Sequence, residues 1–409
     1  MSVARPPLRS LDDALAELLG QAQPLAGSET VSTFDADGRV LAQELVAQLQ
    51  VPPQDNSSMD GYAVRSAEIA DEGVVLPVSQ RIPAGSAGVP LAPGSVARIF
   101  TGAPVPEGAD AIVMQEDVEA VGEQTVRILR VPAPGQWIRR SGEDVTRGAV
   151  VLARGDRLSA ASLGMAAGIG MASLEVARRP RVALFSTGDE LVMPGEVPPQ
   201  QMKPGAIYNS NRFFLSALLR RLGCEVSDHG IVPDRRDATL EALARAAKEH
   251  DLILTSGGVS VGEEDHIKPA VEQLGSLDLW QIAMKPGKPF AYGKVAGAHF
   301  IGLPGNPVSS FLTFVLLVRP FLLKLQGASV LAPAAMPMRA DFDWPRADKR
   351  REFLRVHRNG HGGLDLFPNQ SSGVLTSAVW ADGVVDNAAG QTIAHGDSVP
   401  FISFAELLA

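Results

Sequence analysis

The chain has 409 residues, more than one hydrophobic core usually serves, so about two to four domains are expected. Asp plus Glu is 46 against 37 Lys plus Arg, a formal net charge of −9 that speaks against nucleic acid as a partner and leaves room for a local basic pocket. The one cysteine, Cys224, excludes an internal disulfide framework and a multi-cysteine metal site, and it suits the cytoplasm.

The opening "MSVARPPLRSLDDALAELL" has prolines and acids where a secretory leader needs an apolar run, so none is expected. Ser10-Leu11-Asp12-Asp13 is a capping pattern, and Leu11, Ala14, Leu15, Leu18 and Leu19 follow at helical spacing. From about Val51 to Val150 the texture becomes Val, Pro and Gly with short alternating runs, "SVARIF", "AIVMQ" and "TVRIL", which predict a β-rich lobe. "LSAASLGMAAGIGMASLEV" returns to a helix of small residues with Ser159 as its cap.

From Arg181 the chain alternates: "RVALFS", the helix of "NSNRFFLSALLRRLG" ended by Gly223, "CEVSDHGIV", the helix of "DATLEALARAAKEH", then "DLILTS". Strand–helix alternation of this kind predicts a doubly wound parallel sheet, with ligands at the carboxyl ends of its strands. Cys224, opening a strand, reads as a buried hydrophobe. A helix is predicted from about Val308 to Gln326. Its run "FLTFVLLVRPFLLKL" is interrupted by Arg319-Pro320 and is too short for a membrane span. "LAPAAMP" reads as a linker, and "MRADFDW", "EFLRVHR" and "DSVPFISF" predict a small terminal β domain.

Four segments follow those strand ends: "TGDELVMPG", "PDRRD", "GGVSVGEEDH" and "LPGNPVSS". Neither "GGVSVG" nor "GLPGNPVSS" has the spacing of a dinucleotide fingerprint or a P-loop, and each alone fits a structural tight turn. Their shared position aims backbone N–H groups of Gly257 and Gly258 at one sheet edge, where an anion could lie. Glu190, Asp234 and Asp265 occupy the same edge, and Asp144 could join them. Singly each reads as a turn carboxylate; together they suit Mg²⁺ completed by phosphate oxygens. Lys285 and Lys288 in "AMKPGKPFAYGK" are either solvated surface charges or, held by Pro286, Gly287 and Pro289, an anion site. His266, with no second histidine nearby, reads as packed or capping.

Seven segments in order, "DNSSMDGYAVR", "RIFTGAPVPEGADAIVMQED", "IRRSGEDV", "LFSTGDEL", "TSGGVSVGEEDHIK", "MKPGKPFAYG" and "GLPGNPVSS", closely resemble the molybdopterin molybdotransferases, the MoeA family that includes the E domain of gephyrin. "REFLRV" and "NQSSGV" fit the family's last domain more loosely, "DNAAGQTIAHGDSV" departs from it, and His266 stands where a tyrosine is common. The resemblance implies an elongated protomer: a linker element at 1–179 with an inserted β-rich lobe at about 53–145, a central α/β domain at 180–328, and a β domain at 329–409. It implies a cytoplasmic, Mg²⁺-dependent transferase that inserts molybdate into adenylylated molybdopterin and releases AMP. It further implies a homodimer whose site is shared between protomers, with contacts to the adenylyltransferase and to molybdoenzymes. No nucleic acid or membrane is expected. By position in the motifs, Asp60, Asp144, Glu190, Asp234, Lys285 and Lys288 are expected to be catalytic. Thr101, Gly257, Gly258, Ser260, Pro304, Asn306, Pro307, Arg355 and Ser372 are expected to bind substrate, with Asp265 and Glu190 on the metal. The alternatives are the adenylyltransferase of the same pathway, which is normally a single domain, and a gephyrin-like scaffold, for which no partner groove is marked.

Overall fold

Ser10 caps the first helix as its pattern requires. Its Oγ accepts from the Asp13 N–H at 3.0 Å, and the helix Leu11–Gln21 buries Leu11, Ala14 and Leu18. The structure, a computed structural model, describes residues 8–232, 236–258 and 267–408. Two antiparallel pairings, Leu45–Val46 with Val150–Leu152 and Asn56–Ser57 with Ile138–Arg139, form a stem that carries the chain out to a lobe and back. The lobe is a six-stranded sheet in the order Ala111–Met114, Gly61–Val64, Val96–Ile99, Val75–Ile82, Thr125–Ile128, Val118–Gly122. Its apolar residues form two separate cores, one around Ala63, Ile82 and Ile112 and one around Val64, Val96 and Val113. Gly61 is needed in its strand because a Cβ there would lie 2.0 Å from the Val113 carbonyl oxygen.

The helix Ala160–Gly168 starts at Ser159, whose Oγ accepts from the Ser162 N–H, and the strand Ser173–Ala177 then pairs with Ser28–Ser32. The central sheet follows in the order Glu225–Ile231, Arg181–Ser186, Leu252–Ser256, Ala298–Leu303, Pro289–Val295, Gly275–Gln281. The first four strands are parallel, as the alternating pattern predicts, and the last two run antiparallel. That hairpin edge is an addition the pattern does not reveal. Helix Asn211–Arg221 buries Leu215, Leu218 and Leu219 and ends at Leu222 before Gly223 (φ 77°), and Cys224 lies in the core at 5% exposure.

The helix predicted from about Val308 to Gln326 runs from Pro307 to Leu325, 19 residues, continuing through Arg319-Pro320 and almost wholly buried inside the protein. Pro320 lacks an N–H and its ring would crowd the carbonyl four residues earlier, and the chain widens into a π-helical segment, Phe314–Val318, immediately before it. The helix is long and apolar enough for a membrane, but it is a core helix here. The Arg319 guanidinium, buried with it, donates to the carbonyl oxygens of Leu331 (3.1 Å) and Glu406 (3.2 Å).

The last domain closes on itself. Arg351–Arg358 pairs with Gly363–Leu366, that with Met336–Ala340, then Ser398–Ser403, then Gly383–Asn387, which returns to Arg351–Arg358. Onto this barrel the central domain adds a two-residue strand, Met284–Lys285, parallel to Arg351 and Glu352. Phe353, Val384, Ile402 and Phe404 of the barrel belong to the same apolar core as Phe311 and Phe314 of the long helix. The barrel and the central domain are therefore packed as one body.

Candidate active site

The parallel strands end at Ser186, Ile231, Ser256 and Leu303, and the loops after them are laced together. The Thr187 N–H donates to the Ser256 carbonyl oxygen (3.2 Å), and the Gly257 N–H to that of Leu303 (3.0 Å). Asn211, at the start of its helix and buried, donates from Nδ2 to Ser256 Oγ (2.9 Å) and to the Gly305 carbonyl (2.7 Å). Together these bonds tie three strand ends into one surface. The glycine at 257 has a cause different from the one expected. With φ 93°, a Cβ there would sit 2.7 Å from Thr187 Oγ1 and 2.8 Å from the Thr187 carbonyl oxygen, so the neighbouring loop, not a ligand, demands it. Gly258 is also crowded, by Ile267 and Thr187.

Glu190 lies exposed in the first loop, its carboxylate folded over Gly188, with no ion pair among the described residues. Asp234, Ser260, Asp265 and His266 lie outside the described residues. No group of three His, Cys, Asp or Glu side chains suited to a metal occurs among those that are described. Among the described residues this edge offers Mg²⁺ the carboxylates of Glu190 and its exposed neighbour Asp189, which fits an ion that takes one or two protein carboxylates and leaves the rest of its shell to water and phosphate. Ser186 Oγ, at the end of its strand, and Asn209 Nδ2 are buried without a partner among the described residues, so hydrogen-bonding capacity remains there for a polar ligand.

A second group gathers at the N-terminus of the long helix. Pro304 is buried, Asn306 is the exposed N-cap with no side-chain cap bond, and Pro307 takes the first helical position. The Val308 N–H donates 2.9 Å to the carbonyl oxygen of Ser372, which brings the last domain onto this helix end. The Pro286-Gly287 turn rests on the same helix, since a Cβ on Gly287 would meet Thr313 Oγ1 at 2.6 Å. Thr313 is six residues past Pro307, about 9 Å along the axis. The turn between Lys285 and Lys288 and the loop of Ser372 thus both pack on this one helix, at points about two turns apart.

Their electrostatics differ from the expectation. Lys285 Nζ donates to Glu352 Oε1 at 2.9 Å and lies 3.3 Å from Asp348 Oδ2, whereas Lys288 has no ion pair among the described residues. Arg355 is not an open anion contact. It is 1% exposed, and its guanidinium donates to the carbonyl oxygens of Phe353 (3.0 Å) and Ser371 (3.4 Å) and to Ser377 Oγ (3.2 Å). Burial pushes its pKa down to about 10. Arg355 thus holds the loop that presents Ser372.

Asp60 and Thr101 meet, but elsewhere. Asp60 Oδ1 accepts from the Thr101 N–H and from its Oγ1–H, both at 2.8 Å; these bonds, with Arg98 nearby, hold the carboxyl below its usual range. Asp144 is exposed in the stem, its N–H donating to the Val51 carbonyl at 2.9 Å. The hydrogen bonds of all three stay within the lobe and stem. Beside Asp60, Arg81 and Arg98 stand over the Phe100 ring at 4.5 and 4.7 Å, and neither has a carboxylate partner within ion-pair distance among the described residues. Sequence reading passes over these arginines, Asn211 and Glu352. Only "RIF" and "REF" inside the quoted segments hint at them.

The same three-part layout is found in known proteins. Residues 9–170 match the MoeA N-terminal region (domain I and II), 183–324 a probable molybdopterin binding domain, and 337–404 the MoeA C-terminal region (domain IV). A molybdopterin molybdenumtransferase of Haemophilus influenzae is 43% identical over 319 residues, 78% of each chain. The chain belongs to the MoeA family. Among solved structures, a MoeA protein of Pyrococcus horikoshii OT3 matches with a TM-score of 0.83 and 28% identity, covering 97% of this chain and all of that one. Gephyrin of Dictyostelium discoideum is 32% identical over 78% of this chain but only half of its own length. MoeA membership accounts for the coexistence of the stemmed lobe, the α/β domain and the barrel, which a single-domain adenylyltransferase would not need.

Proposed function

We propose that this chain is a molybdopterin molybdenumtransferase, taking molybdate and adenylylated molybdopterin and releasing AMP. The observation that carries this is one long helix, in a region matching a probable molybdopterin binding domain, that takes the Ser372 carbonyl at its proline-started N-terminus and the turn between Lys285 and Lys288 on its side. Such a helix end favours negative charge. Lys288, with no ion pair among the described residues, would contact molybdate or phosphate, and Lys285 would direct an ammonium at the same anion. Loop amides and Asn306 would orient the pterin phosphates. Mg²⁺, when bound, would supply positive charge against the phosphates; by their places in the motifs Glu190 and Asp265 would hold it, Asp234 would serve catalysis and Ser260 substrate binding. Nothing in the chain is asked to act as a covalent nucleophile, because the oxygens and sulfurs of the substrates are the attacking groups. The lobe residues Asp60, Thr101 and Asp144 would reach the central domain of a second protomer in a cytoplasmic homodimer.

The test is direct. Purified protein with adenylylated molybdopterin, molybdate and Mg²⁺ should release AMP, and release should stop without molybdate or with a Mg²⁺ chelator. ATP consumption on bare molybdopterin, with no molybdate requirement, would identify an adenylyltransferase instead.

A further inference from the structure

We infer that Glu352 is a positioning residue for Lys285, so that the barrel domain sets the placement of a lysine belonging to the central domain; this rests on the role proposed above for Lys285. The strand Met284–Lys285 leaves the central sheet and pairs with the barrel in parallel, Met284 beside Arg351 and Lys285 beside Glu352. Glu352 is 1% exposed, and both its oxygens are committed: Oε1 accepts from Lys285 Nζ at 2.9 Å and Oε2 from the Trp344 Nε1–H at 2.7 Å. Asp348, 3.3 Å from the same ammonium, is itself gripped by Arg350 Nε at 3.0 Å and Nη2 at 2.8 Å. The Trp344 backbone is fixed in turn by exchanging hydrogen bonds with Ile393 at 2.7 and 3.0 Å.

Lys285 and Arg350 balance Asp348 and Glu352 in charge, so this cluster does not itself require an anion. A lysine side chain ordinarily ranges over many rotamers. Here its ammonium is fixed before substrate arrives, which removes an ordering cost from the reaction. An ion pair whose lysine is part-open to solvent adds little to fold stability, so what this one supplies is placement. Lys288, three residues on, carries the charge left free.

The experiment is Glu352→Gln in the full-length chain, crossed with Lys285→Ala and read by AMP release under molybdate titration. Glu352→Gln should lower kcat roughly 10- to 100-fold, with the KM for adenylylated molybdopterin much less affected, and Glu352→Asp should recover part of the loss. The double variant should be no slower than Lys285→Ala alone, because both changes remove one function. Effects that multiply, or a Glu352→Gln enzyme at wild-type rate, overturn the inference. A Lys285→Ala enzyme at wild-type rate removes the role of Lys285 itself; an inactive Lys285→Ala beside a fully active Glu352→Gln removes only the positioning claim. If Glu352→Gln does not fold, Trp344→Phe, which deletes one N–H from Oε2, takes its place in the cycle with a smaller fall expected.

Discussion

Lys285 and Lys288 sit three residues apart in one turn, yet truncating them should have different consequences. Lys288→Ala removes an unpaired cation, so it should weaken anion engagement by roughly 1.5–3 kcal/mol and leave thermal stability near wild type. Lys285→Ala also strands Glu352, a carboxylate at 1% exposure, and should lower stability as well, by roughly 2 kcal/mol. Molybdate-dependent AMP release and urea unfolding of both variants check this; equal stability of the two would mean that Glu352 does not depend on its lysine. The sequence displays the lysine pair through its flanking prolines and glycine. It cannot display the carboxylate, because Glu352 is 67 residues downstream and only tertiary pairing brings it near. Arg355 shows the reverse case: the motif marks it as important, while burial assigns it to holding Ser371 and Ser377.

Loops and strands carry their own predictions. Gly257→Ala forces a side chain into a backbone with φ 93° and against Thr187, so it should destabilise by about 1–3 kcal/mol and open the laced loops. A Gly257→Ala protein with unchanged unfolding free energy would show that the loops yield freely. On the fourth parallel strand, next to the antiparallel hairpin, His299 is wedged against Phe321 with Nδ1 2.9 Å from the Tyr292 hydroxyl, and burial pushes its pKa down from 6.5 to about 4. The unfolded chain therefore binds this proton first as pH falls. The stabilising contribution is complete above pH 6.5, declines from there through pH 4, and is worth no more than about 3 kcal/mol after solvent screening. His299→Gln should flatten that part of the stability profile, measured by urea unfolding at pH 7, 5.5 and 4.5; an unaltered slope would assign it to other groups. Periodicity made the four parallel strands and their helices legible, since each has its own apolar face. The antiparallel hairpin was not legible, because a buried strand reads alike in either direction. The long helix was legible from its sustained apolar run, whereas the π-helical widening that carries it past Arg319-Pro320 was not.

At the scale of the molecule, the lobe stands on its stem with Asp60 and Thr101 bonded only to each other's neighbourhood, while the lysines lie on the central edge. If one site takes its lobe from one protomer and its central domain from another, a mixed dimer of Asp60→Ala and Lys288→Ala chains should regain about half the wild-type activity. One of its two sites would then have both residues intact. Each parent homodimer should be nearly inactive. A mixed dimer as inactive as its parents, with exchange verified by tagged pull-down, would place each site within one chain. The barrel has a consequence in time as well as space. Ribosomes deliver this chain from its N-terminus, and Arg351 and Glu352 emerge only after the loops of the central edge are complete. Until then the strand Met284–Lys285 has no barrel edge to join, and Phe311 and Phe314 lack their cover from Phe353, Ile402 and Phe404. At about 5–20 residues per second, the final ~80 residues take roughly 4–16 s. Through that interval the nascent protein holds nearly every binding loop but an unanchored lysine, so a chain cut short in its last domain should be released inert and sticky rather than half active.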